Sequence, residues 1–157
     1  MHKEPRLAIL DWGIGGISVL QEIKAQLGDI PVLYLSDTGA TPYGKMSRSE
    51  LVERLRTVIA YLRTKGATQL VIGCNAASTA IPFLNVNSFP IEGVIDSAVR
   101  LAAQIQPRRL GLIGGRRTVL SGVYRTAFAA RGMTVAQRIA QPLSGLIENS
   151  NRLFAIL

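Results

Sequence analysis

Cysteine and histidine are almost missing from this chain of 157 residues, which has one of each, Cys74 and His2. A single cysteine excludes an internal disulfide, and with a single histidine it excludes a Cys/His zinc site. No run approaches the ~20 apolar residues needed to cross a bilayer. The stretch before Asp11 is too short for the apolar region of a signal peptide. His2 falls in a terminus expected to be disordered. These absences suggest a cytoplasmic protein with no membrane segment and no metal. Acidic residues are scarce in one half only. Residues 1–100 carry ten Lys and Arg against nine Asp and Glu, whereas 101–157 carry eight Arg against Glu148 alone. A basic half can face nucleic acid or another anionic partner, or lie on solvated faces. No nucleic-acid motif accompanies the charge.

Hydrophobic residues make up 48% of the chain, enough for a sizeable core. Leu7-Ala8-Ile9-Leu10, Val32-Leu33-Tyr34-Leu35 and Leu70-Val71-Ile72 read as short buried strands, and 91–95 as a fourth. Between them run helical patterns. Ile17, Leu20, Ile23 and Leu27 lead to Gly28 at a C-cap. Ser47 and Glu50 form a capping box before Leu51, Leu55, Val58, Ile59 and Leu62, and Gly66 stops that helix. Asp96 can cap a helix through Ile105. A strand ending at Gly114-Gly115, a helix over 118–131 and a strand over 133–139 follow. This alternation predicts a doubly wound, mostly parallel α/β sheet. The boundary between two lobes is placed at Pro107-Arg108-Arg109, giving a first lobe of 1–106 and an incomplete second lobe of 107–157. Another helix begins in 142–148, and the chain stops at Leu157. A lobe of one βαβ unit cannot cover both faces of its sheet, so it is expected to need a second copy, another chain or a continuation.

Two loops at strand ends carry the chemistry. Ligands of open α/β sheets bind outside the carboxyl ends of the strands. Cys74 follows the third strand there, and a thiol whose pKa is lowered at a helix start can serve as a base. It could equally be a small buried apolar residue. Asn75 beside it can bond a substrate carboxylate. Asp11 ends the first strand, where it could assist a base, hold a substrate ammonium, or cap the following helix. The Asp-x-Gly-x-Gly-Gly loop it opens is not the G-x-G-x-x-G nucleotide pattern. Pro42-Tyr43-Gly44 is a rigid turn with an exposed hydroxyl and amides that could bind a carboxylate. Thr118 and Ser121 open a helix and could form an anion site or simply cap it.

Together, Asp11-Trp12-Gly13-Ile14-Gly15-Gly16-Ile17-Ser18-Val19-Leu20, Ser36-Asp37-Thr38, Pro42-Tyr43-Gly44, Cys74-Asn75-Ala76-Ala77-Ser78 and Thr118-x-x-Ser121-x-x-Tyr124 resemble glutamate racemase, of the cofactor-independent aspartate/glutamate racemase family. The resemblance implies two flavodoxin-like α/β lobes, no cofactor, and interconversion of L- and D-glutamate for peptidoglycan by two cysteines on opposite faces of the α-carbon. It makes Cys74 the first-lobe base and Asp11 its assistant. Trp12, Pro42, Tyr43, Gly44, Asn75, Ala76 and Thr118 fall at substrate-binding positions. Trp12 stands where the family has Ser, and Ala76 where it has Thr. The second cysteine of the family, in a Cys-Thr-His motif, falls beyond Leu157. The expectation is therefore a racemase-like chain with impaired activity. Its alternatives are a non-catalytic regulatory relative, which could contact DNA gyrase through the basic half, or another acidic amino-acid racemase such as aspartate racemase.

Overall fold

The computed structural model describes residues 6–86, 88–143 and 145–146. It divides into two compact units, 1–94 and 95–157.

In the first unit, β1 (Leu7–Asp11) is buried at every position. Unbroken burial suits a strand covered on both faces. α1 (Gly15–Leu27) and β2 (Val32–Ser36) follow. α2 (Arg48–Thr64) starts at the predicted capping box. The Ser47 hydroxyl accepts the Glu50 N–H at 3.2 Å, and the Glu50 carboxylate accepts the Ser47 N–H at 2.7 Å. Leu51, Val52, Leu55, Val58, Ile59 and Leu62 form its buried stripe, each such side chain contributing about 1.5–3 kcal/mol on full burial. β3 (Gln69–Ile72), the one-turn helix α3 (Asn75–Ser78) and β4 (Ile91–Gly93) complete the unit. The sheet order is β2-β1-β3-β4, with every pairing parallel. That is a flavodoxin-like winding.

Side-chain alternation sorts the helices between the two faces. Ala8, Leu10, Leu33, Leu35, Leu70 and Ile72 pack in one core with the stripe of α2. α1 covers the other face. There Gly16 meets the ring of Tyr34, which pairs with Ile9 in register. A Cβ built on Gly73 would lie 2.8 Å from the Cα of Gly16. The backbones at the start of α1 and the end of β3 therefore touch, which only glycine permits at position 73. The second glycine of the Gly15-Gly16 pair has its own reason, since a Cβ there would meet the Asp11 Cβ at 2.9 Å and the Tyr34 ring at 3.2 Å.

The second unit contains most of α4 (Val94–Ile105), then β5 (Leu110–Gly114), α5 (Arg116–Leu120), α6 (Val123–Ala129) and β6 (Val135–Ile139). β5 and β6 pair in parallel. Ile95 and Val99 of α4 share a core with Tyr124, Phe128 and Val135. This shared core is why the compact units meet at Val94 and Ile95, ahead of the boundary read from the sequence at Pro107. The opposite face of the two-stranded sheet presents Gly111, Ile113, Ala136 and Arg138, all exposed, with Ile113 at 67%.

Three local expectations are corrected. β4 ends at Gly93, because the Ser78 hydroxyl takes the Val94 N–H at 3.3 Å and α4 begins there. Asp96 then lies in the first turn of α4, past the cap position. The helix expected over 118–131 is two, broken where Gly122 adopts φ 72°, a left-handed conformation that ends a helix at little cost for glycine. The backbone is helical at 141–143 and 145–146. His2, Glu148 and the tail 147–157 lie outside the described residues.

The glycine contact gives a direct test. Gly73→Ala forces backbone apart and is expected to lower stability by about 1–3 kcal/mol in urea unfolding. Gly13→Ala has nothing within 4 Å of its new methyl and should stay within about 0.5 kcal/mol of the parent.

Candidate functional site

The first unit gathers its polar groups at the carboxyl rim of the sheet. β1 ends in Asp11, β2 is followed by Asp37, and Cys74 stands two residues past β3. Because these strands are parallel, all three lie on one rim. Cross-links hold the rim together. The Asp37 N–H donates to the Asp11 carbonyl and the Gly73 N–H to the Leu10 carbonyl, both at 2.9 Å. The Ser36 hydroxyl donates to the Gly13 carbonyl at 3.0 Å.

Asp11 is buried, and its Oδ2 accepts the Gly16 N–H at 2.9 Å. The carboxylate thus sits at the positive end of α1, where a negative charge is favoured. Cys74 is half-buried at the N-cap of α3. Burial pushes its thiol up to about 12, and the Asp11 carboxylate, which also takes the thiol's hydrogen bond, adds to the rise. The backbone N–H groups of Ala77 and Trp12 face the sulfur and pull the other way. The pair is therefore a protonated thiol beside a carboxylate, with two amides waiting for a thiolate. A cation placed against Asp11 removes the main charge opposing that thiolate.

A second carboxylate is tied off. Asp37 accepts the Tyr43 hydroxyl at 2.7 Å and the Arg54 Nε at 2.8 Å, with a second guanidinium contact to its other oxygen. Burial works to raise Asp37, but Arg54 and then Tyr43 outweigh it and hold it below the usual carboxylate range. Burial and the bond to Asp37 drive the Tyr43 phenol far above its usual value. The 3-10 turn Tyr43–Lys45 packs against α3, so this cluster fixes the turn beside Cys74.

The remaining predicted residues fall as follows. Asn75 is exposed at the start of α3, and Ala76 is half-buried against the core. Pro42 and Gly44 are half-buried at the rim. Tyr43 does not offer the exposed hydroxyl expected of its turn: it is 1% exposed, because Asp37 holds it inside. The Trp12 indole is also inside, 8% exposed in the core, with its Nε1–H on the Ala40 carbonyl at 2.9 Å. What Trp12 presents to the thiol is its amide. Thr118 is buried in α5 of the second unit, where the Ser121 hydroxyl bonds its carbonyl at 2.7 Å. Ser78 proves structural, its hydroxyl donating to the Ile72 carbonyl at 3.2 Å. Sequence reasoning missed Arg54, although a signal was present. Arg54 lies three residues past Leu51 and four before Val58, in phase with a buried stripe.

Comparison with known proteins bears on this arrangement. No family model matches the chain. The glutamate racemase of Aquifex aeolicus is 34% identical over 146 residues, 91% of this chain and 58% of that protein. The glutamate racemase isoform RacE1 of Bacillus anthracis superposes with a TM-score of 0.87 at 28% identity, over 99% of this chain and 60% of that one. The Escherichia coli glutamate racemase, in complex with L-glutamate and the activator UDP-MurNAc-ala, superposes with a TM-score of 0.73 at 29% identity, over 92% of this chain and 56% of that one. The chain is similar to glutamate racemases over nearly its whole length. It spans rather more than half the length of these relatives. No helix among the described residues is long and apolar enough to cross a membrane.

Two measurements check the electrostatics of this rim. The folded thiol is raised from 9.0 to about 12, so the native state holds the Cys74 proton more tightly than the unfolded chain does. The stability this contributes is full below pH 9 and lost as pH rises toward 12. Cys74→Ala should remove this part of the alkaline loss in denaturant titrations across that window. Asp37 has the opposite sign. Its lowered pKa contributes stability above the unfolded value of 3.8, which is lost as pH falls below it. Arg54→Met strands the carboxylate. With Arg54 itself 37% exposed, the expected loss at neutral pH is about 1–3 kcal/mol, shrinking as the medium is acidified through pH 3.8.

Proposed function

We propose that the first unit carries one half of a glutamate racemase site, in which Cys74 removes the α-proton of an acidic amino acid and Asp11 assists it. The observation that carries this reading is the protonated thiol held against a buried carboxylate, with the Ala77 and Trp12 amides directed at the sulfur. A thiol pushed up to about 12 is a poor acid but, once ionised, a strong base. The substrate ammonium supplies the cation that the pair needs: beside Asp11 it offsets the carboxylate charge, and the amides then favour the thiolate. Asn75 and the backbone of the Pro42-Tyr43-Gly44 turn bond the substrate carboxylates, and the Asp37–Arg54 cluster keeps that turn in place. Glutamate is the favoured substrate over aspartate, in keeping with the relatives and with the L-glutamate complex of the Escherichia coli enzyme.

Within these 157 residues there is no second thiol. Inversion needs a proton donor on the opposite face of the α-carbon. Losing a positioned acid costs about 10²–10⁴-fold in rate. On this reading the chain alone exchanges an α-proton with solvent and returns it to the same face. A further polypeptide surface over the exposed β5–β6 face belongs to the same proposal, since parallel sheets are covered on both sides.

The test is to incubate each glutamate enantiomer with the chain in D₂O. Deuterium at the α-carbon is followed by mass spectrometry and configuration by chiral chromatography. Exchange into one enantiomer with retained configuration, abolished in Cys74→Ala, is expected. Full racemisation would reveal a second acid in the chain. Absence of exchange with both enantiomers would refute the catalytic role of Cys74.

A further inference from the structure

Tyr34 lies in the middle of β2 and pairs with Ile9, so it shares a sheet face with Asp11, two residues further along β1. Its ring runs along that face under the start of α1. A Cβ built on Gly16 would lie 3.0 Å from the Tyr34 hydroxyl and 2.9 Å from the Asp11 Cβ. Hydroxyl and carboxylate stem therefore flank the same point. The hydroxyl oxygen is buried, and no protein group among the described residues bonds it. A phenylalanine would fill the same space without that cost, because a buried hydroxyl left unbonded is destabilising.

We propose that Tyr34 is a positioning residue for the Cys74–Asp11 pair, its hydroxyl donating to the Asp11 carboxylate when the thiol gives up its proton. While Cys74 is protonated, Asp11 has the Gly16 N–H and the thiol as donors. When the thiol ionises, Asp11 loses one donor and gains a negative neighbour. Tyr34 is the unengaged donor next to it, and a bond to an ionised carboxylate is the stronger kind. Burial first, then the charges of Asp11 and Cys74, hold the phenol protonated, so it remains a donor throughout. Asp11 on β1 and Cys74 after β3 are the charged groups bearing on it. α1, packed over it, has no acid in its first turn, and Cys74 also bears on Tyr43.

This proposal deepens the catalytic reading above and rests on it only for its purpose, since the test needs no turnover. Cys74 is the only thiol in the chain, so its alkylation by iodoacetamide can be timed by mass spectrometry at one mildly alkaline pH. The 157-residue wild type, Tyr34→Phe, Asp11→Asn and the double variant are compared. Tyr34→Phe is expected to slow alkylation by about threefold or more, and the double variant to react as fast as Asp11→Asn alone. A Tyr34→Met chain, which also lacks the hydroxyl, must show the same slowing and serves if the Phe variant fails to fold. A rate unchanged or raised by loss of the hydroxyl overturns the proposal. So does an equal slowing in the Asp11→Asn background, which would mark a packing role. Failure of the D₂O exchange with success here would leave Tyr34 positioning a pair that is not catalytic.

Discussion

The contact of Gly16 with Gly73 governs the rim of the first unit. Two backbones meet there without a side chain between them, 2.8 Å from where a Cβ would stand. That approach draws the start of α1 onto the end of β3. It sets the Gly16 N–H on the Asp11 carboxylate and brings Asp11 against the thiol that follows β3. A methyl group at position 73 would separate the loops, and one at position 16 would meet Asp11 and Tyr34. The electrostatics of Cys74 is thus a consequence of steric permission, decided by which residues have no side chain.

The two buried carboxylates of the rim are handled in opposite ways. Asp37 is neutralised on the spot by a guanidinium and a phenol, and both of its oxygens are engaged. Asp11 has only a backbone amide and a thiol, and no basic side chain bonds it among the described residues. A buried carboxylate with its charge uncompensated is costly as structure and useful as a receptor for a cation. The contrast between these neighbours separates a group that holds the fold from one arranged to meet a ligand.

Much of this was legible in the sequence where local rules dominate. The capping box at Ser47, the stripe of α2 and the parallel order of the first unit follow from spacing alone. So does the placing of Asp11 and Cys74 at strand ends. What was not legible depends on long-range partners. Whether the Tyr43 hydroxyl points outward is decided by Asp37 and Arg54, which approach it only in the fold. Trp12 sits in the rim loop, yet its indole finds the Ala40 carbonyl and the core. α4 begins where Ser78, sixteen positions earlier in the chain, supplies its cap, and no window around Val94 contains that information. The compact units meet at Val94 and Ile95 for a similar reason, since the apolar face of α4 packs with the core of α6.

Trp12 has a spectroscopic consequence. It is the only tryptophan in the chain, and its indole is enclosed in the core of the first unit, with Ala40 on its N–H. Intrinsic tryptophan emission therefore watches one unit alone. The second unit has no tryptophan, and its loosening is silent in that channel while far-ultraviolet ellipticity registers it. Two optical signals measured on one sample thus separate the melting of the halves without any label.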